Sequence, residues 1–99
     1  MIAEIQVLPT PVGTAEHPWA YVDAAIAVIT RSGLTYEVGP LGTSVEGDPD
    51  AVWAILRCAH EATLTHGATG VVTVIKVLDA GVDTTTMRDL IEPHRARRA

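Results

Sequence analysis

The stretch Leu34-Thr35-Tyr36-Glu37-Val38-Gly39-Pro40-Leu41-Gly42-Thr43-Ser44-Val45-Glu46-Gly47 decides the fold. Residues 34–38 and 41–46 read as two short strands, rich in β-branched and aromatic side chains. Gly39-Pro40 breaks the run and Gly47 ends it. So short a connection makes the pair a hairpin. What flanks the hairpin then sets the topology.

Before it, residues 18–32 read as a helix. Pro18 suits the first turn, Trp19, Val22, Ala25, Ile26 and Ile29 recur at helical spacing, and Gly33 is a stop signal. After it, Asp48-Pro49 is a cap followed by a first-turn proline. That helix runs to about His66, with Val52, Ile55, Leu56, Ala59 and Thr63 inward, and Gly67 closes it. Residues 2–8 alternate as a strand, with Ala3, Ile5 and Val7 on one face and Glu4 and Gln6 on the other. Residues 70–78, Gly-Val-Val-Thr-Val-Ile-Lys-Val-Leu, are the strongest strand signal in the chain. Thr84-Thr85-Thr86 opens a short helix, Met87 to Glu92, which Pro93 is expected to stop.

The order is therefore β-α-β-β-α-β plus a tail helix. This predicts an α+β, ferredoxin-like sandwich: an antiparallel four-stranded sheet with two helices on one face, plus a short C-terminal helix. Residues 1–92 form one domain and 93–99 a basic tail. Strands one and three sit side by side at the centre, and we expect them to run parallel. The strand at 70–78 is apolar on both parities and reads as buried on both sides. A monomer cannot cover both, so two sheets should pack face to face or edge to edge in a homodimer or homotetramer.

The chain has 99 residues, 47% of them hydrophobic, and no Phe. Its core must be aliphatic. One cysteine, Cys58, excludes an intrachain disulfide framework and a cysteine-based zinc cluster; it reads as a small core residue. No apolar run nears the length of a membrane helix, and no basic segment precedes an apolar one at the start. We expect a cytoplasmic protein. All 12 acidic groups and four basic ones lie in residues 1–92, while Arg95, Arg97 and Arg98 lie in the last seven. Such an acidic body argues against nucleic acid and is compatible with a cationic ligand.

Glu4, Gln6, Ser44 and Glu46 fall on the sheet face away from the helices if Ala3, Ile5, Val7 and Val45 face them. Glu37 joins them if Tyr36 and Val38 face the helices. The last strand adds Thr73 or Lys76, and periodicity does not settle which. These residues make either a solvated polar face or an acidic pocket between subunits. A buried carboxylate pair needs a partner, and a cationic heterocycle is one. Gly42 in a strand permits close approach of a ligand and Thr43 offers a hydroxyl, though both could simply shape the hairpin. His60 and His66 are six apart and do not stack as metal ligands, so no metal is expected. Cys58 and His60 point to different helix faces, and His60 reads as packing near the sheet edge. The helices face the sheet with aliphatic residues and two Trp, leaving few catalytic candidates.

These residues also carry a resemblance. Ala3-Glu4-Ile5-Gln6-Val7-Leu8-Pro9 with Gly13-Thr14, the whole run Gly33 to Gly47, His60-Glu61-Ala62, Gly67-Ala68, and Val71 to Lys76 stand in order and at the right spacing. Over roughly residues 2–90 the chain resembles the small, YkoF-like thiamine-binding proteins. The resemblance implies a ferredoxin-like protomer, dimers and often tetramers, and binding of thiamine or a thiamine precursor without catalysis. It implies no cofactor beyond that ligand. The candidate site residues read from the strands and hairpin are Glu4, Gln6, Thr43, Ser44, Glu46, Thr73 and Lys76; with such a ligand, Glu4 and Glu46 would offset the thiazolium charge. A pyrophosphate would need Lys, Arg or a helix N-terminus, so the unphosphorylated form should bind better. Family members usually carry a longer C-terminal helix than Pro93 allows here. A small ferredoxin-like enzyme, of the cofactor-free monooxygenase or isomerase type, and a purely structural oligomerisation module are the alternatives.

Overall fold

A computed structural model describes residues 1–81 and 84–95. The elements are β1 (Ile2–Thr10), α1 (Ala20–Thr30), β2 (Thr35–Val38), β3 (Thr43–Glu46), α2 (Pro49–His66), β4 (Gly70–Leu78) and α3 (Met87–Arg95). The sheet order is β2-β3-β1-β4, with every neighbouring pair antiparallel. The ferredoxin-like α+β sandwich is thus present.

β1 and β3 are neighbours at the centre, but they are antiparallel rather than parallel. The reason is topological. The crossover through α1 brings β2 back in the direction of β1, and the hairpin then reverses β3. Register pairs Ala3 with Val45 and Ile5 with Thr43. These four are buried, together with Ala25 and Ile29 of α1 and Val52, Leu56 and Ala59 of α2. Alternation therefore places Thr43 on the helix side with Val45.

Three expectations about burial fail. Cys58 is exposed, because it sits two residues from Leu56 and so about 200° around the helix from the inward stripe. Trp53 neighbours inward Val52 and points outward; Trp19 is exposed just before α1. β4 is an edge strand, so in the single chain Val72, Val74, Ile75 and Val77 are exposed on both faces instead of buried.

Pro93 does not stop α3, which continues to Arg95. Both ends of this helix are tied to carboxylates. The Met87 backbone N–H donates to Glu46 Oε2 at 3.1 Å, and the Arg95 guanidinium pairs with Glu37 beyond the proline. Thr86 accepts from the Asp89 N–H while Asp89 accepts from the Thr86 N–H, so the expected threonine cap is present. Glu37 pairs in register with Ser44 and shares the face of Glu4 and Glu46. α3 therefore straps part of the second sheet face. Arg97 and Arg98 of the basic tail lie outside the described residues.

Candidate functional site

The segment from Thr10 to Trp19 folds back before α1. Thr14 N–H donates to His17 O, the His17 N–H donates to Thr14 Oγ1, and Tyr21 N–H donates to Val12 O. A side chain at Gly13 would meet His17 O at 2.3 Å and Pro18 C at 2.5 Å, so only glycine fits. This packing sets Trp19 beside the N-terminus of α1. Across from it, Gly39 N–H donates to Gly42 O at 2.8 Å and closes a tight turn over Pro40 and Leu41. Gly42 runs close to β1: a Cβ there would lie 3.2 Å from Ile5 O and from two side-chain carbons of Glu4.

Between α1, β1 and this turn lies a cavity of about 240 Å³. Its walls are mostly apolar: Ile5 and Val7 from the sheet, and Val22, Ala25, Ile26 and Ile29 from α1. Trp19 and Leu41 stand at its borders, and no charged residue lines it. Thr43 also lines it. This residue is only 3% exposed, and its hydroxyl has no hydrogen bond to another described residue. No buried side-chain oxygen or nitrogen among the described residues is sealed off without a partner, so the Thr43 hydroxyl stays open to an occupant.

The seven residues singled out from the sequence are divided by the sheet. Thr43 lines the cavity from the helix side; Gln6 also borders it, although its pairing with Val74 puts it on the sheet face of Glu4. Glu4, Ser44, Glu46 and Lys76 lie on the second face, where Lys76 Nζ stands 3.4 Å from Glu4 Oε1 and Glu46 caps α3. The register resolves the choice on β4: Lys76 faces with Glu4, while Thr73 faces α2. There Thr73 Oγ1 shares a 2.5 Å hydrogen bond with His60 Nδ1, which places His60 against the edge strand. The carboxylates of the second face thus already hold partners within the chain: Glu4 with Lys76, Glu37 with Arg95 and Glu46 with the Met87 N–H.

Elsewhere, Arg57 and Glu61 pair on the outer side of α2, and that hydrogen bond raises the guanidinium pKa further. They do not line the cavity. No three His, Cys, Asp or Glu side chains among the described residues are grouped to hold a metal. Trp19 and Leu41 were missed as site residues. The available signal was the pair of glycines bracketing Pro40-Leu41 and the Gly13 to Pro18 loop ahead of the tryptophan. Chemically, the cavity offers shape, an aromatic side chain at its border and one free hydroxyl.

Comparison with known proteins agrees with this architecture. The chain is 33% identical over 92 residues to a UPF0045 protein of Methanothermobacter thermautotrophicus, covering 91% of each. Among solved structures, a domain of unknown function, DUF77, from Bacillus cereus superposes with a TM-score of 0.85 at 28% identity, covering 99% of this chain and 92% of that one. A hypothetical protein from Methanocaldococcus jannascii superposes with a TM-score of 0.77 at 26% identity, covering 93% and 92%. The profile of the thiamine-binding protein family matches residues 3–95, nearly the whole chain, and the protein belongs to that family.

Proposed function

We propose that the protein binds unphosphorylated thiamine, or a thiamine precursor, in the cavity between α1 and the β2–β3 turn, without transforming it. The observation that carries this reading is Thr43, a residue only 3% exposed whose hydroxyl makes no hydrogen bond to a described residue, in a mostly apolar, uncharged cavity. An aminopyrimidine has donor and acceptor edges, so it can satisfy a lone hydroxyl while its ring replaces water on the apolar walls. The acidic body favours approach of a cation. Family membership supports the ligand class. A pyrophosphate finds no Lys or Arg in the lining. The start of α1 offers little to it, since Ala20 and Tyr21 N–H already donate to His17 O and Val12 O.

On this reading the protein acts in the cytoplasm as a homodimer or homotetramer and needs no further cofactor. No helix among the described residues is long and apolar enough to cross a membrane.

Calorimetry tests the proposal. Thr43→Val keeps the shape and removes the hydroxyl, so thiamine affinity is expected to fall about five- to ten-fold, the worth of one neutral hydrogen bond. Thiamine pyrophosphate is expected to bind more weakly than thiamine. Unchanged affinity in Thr43→Val, or tighter binding of the pyrophosphate, contradicts it.

A further inference from the structure

Two large apolar side chains border the cavity, and both stand in solvent. Trp19 is 61% exposed and Leu41 is 78% exposed. They come from different elements, Trp19 from the α1 side and Leu41 from the tip of the β2–β3 turn. Neither contributes to the core. Both are held by backbone built around glycine: the Gly13 loop that Pro18 closes on, and the turn fastened by the Gly39–Gly42 hydrogen bond. Exposed apolar area concentrated at the lip of a cavity gains most when something fills the gap between its sides.

We propose that Trp19 and Leu41 form a clamp for a flat heteroaromatic ring, with Leu41 closing over one side of the ring and the indole against the other. The clamp rests on the cavity being the ligand site. It adds residues that decide which ligands stay: a planar ring contacts both, whereas an aliphatic molecule of equal volume loses the indole contact. A ring that carries positive charge also gains from the indole face. The clamp selects for planarity and charge at the lip, and Thr43 selects for a hydrogen-bonding edge within.

The test uses the full chain carrying Trp53→Phe, which leaves Trp19 as the single tryptophan; Trp53 lies outside the cavity lining. Two probes are titrated separately: thiamine, and quinoline as a neutral flat aromatic. The readouts are Trp19 emission, the Leu41 methyl resonances, and the heat of binding. With thiamine, Trp19 emission and the Leu41 methyls are expected to shift together at saturation. Leu41→Ala is expected to weaken binding about ten-fold while leaving the melting temperature nearly unchanged, because the side chain is exposed in the free protein. If thiamine releases heat but Trp19 and Leu41 do not respond and Leu41→Ala binds as before, the clamp is overturned and thiamine binding stands. If thiamine is silent and quinoline shifts both residues, the clamp stands and the thiamine reading falls. If neither probe shifts them and thiamine releases no heat, both fall.

Discussion

Leu56→Ala is expected to lower stability by about 2–5 kcal/mol, the range for emptying a fully buried leucine site. Leu56 is 1% exposed and packs in the core formed by Ala3, Ile5 and Val45 of the sheet with Ala25 and Ile29 of α1. The buried core around it is aliphatic, and both tryptophans are exposed. For a domain of this length each 1 kcal/mol moves the melting temperature by about 4–8 °C, so thermal unfolding reads the effect easily. Cys58→Ala, two residues along the same helix, is expected to change stability by no more than about 0.5 kcal/mol. Equal losses in the two variants would mean that α2 presents a different face to the sheet.

The second large effect concerns β4. Nine residues of this strand pair with β1 on one side, and no strand among the described residues pairs with the other. Val72, Val74 and Leu78 share one face with Leu8; Ile75 and Val77 face the other way; all six are exposed. An apolar edge strand of this length is a template for another strand. The expected partner is a second copy, related by a two-fold axis, with β4 pairing to β4 or the apolar strips stacking. Sedimentation should therefore find a dimer or larger species at micromolar concentration. The double variant Val72→Glu, Val74→Glu places charge on the strip without touching the core. It should remain folded and raise the dimer dissociation constant by at least about a hundred-fold, or ~2.7 kcal/mol. A wild-type monomer at micromolar concentration contradicts this assignment.

Much of the fold was legible because it is periodic. The alternation of Ala3, Ile5, Val7 against Glu4, Gln6 located β1 and its faces, although the strand extends two residues further, to Thr10. The limits of β4 and the end of α2 at His66 followed from Gly67 and the apolar run. What failed were judgements of residue type over angle. Cys58 and Trp53 were assigned inward because they are apolar, whereas the stripe Val52, Leu56, Ala59, Thr63 already turns them outward. α3 passes Pro93 because non-local contacts with Glu37 and Glu46 hold both ends, and no local pattern encodes those contacts.

The site was half legible for a similar reason. Thr43 stands two residues from Val45, so the face assigned to Val45 carried Thr43 to the helix side as well. Grouping it with Glu4, Ser44 and Glu46 mixed the two faces of one sheet. Gly42 did signal a close approach, since a Cβ there would press on Ile5 O and the Glu4 side chain at 3.2 Å. The cavity itself arises from how α1 and the β2–β3 turn stand apart over β1. That separation depends on the Gly13 loop and has no periodic signature.

The central claim is that the ligand enters on the helix side of the sheet. Amide chemical-shift mapping during a thiamine titration tests it most directly, because the two sheet faces carry different residues. We predict saturable shifts centred on Ile5, Val7, Trp19, Leu41 and Thr43, with Thr43→Val weakening them. Saturable shifts centred instead on Ser44, Glu46 and Lys76, with Ile29 and Thr43 unmoved, would place the ligand on the carboxylate face and contradict the account.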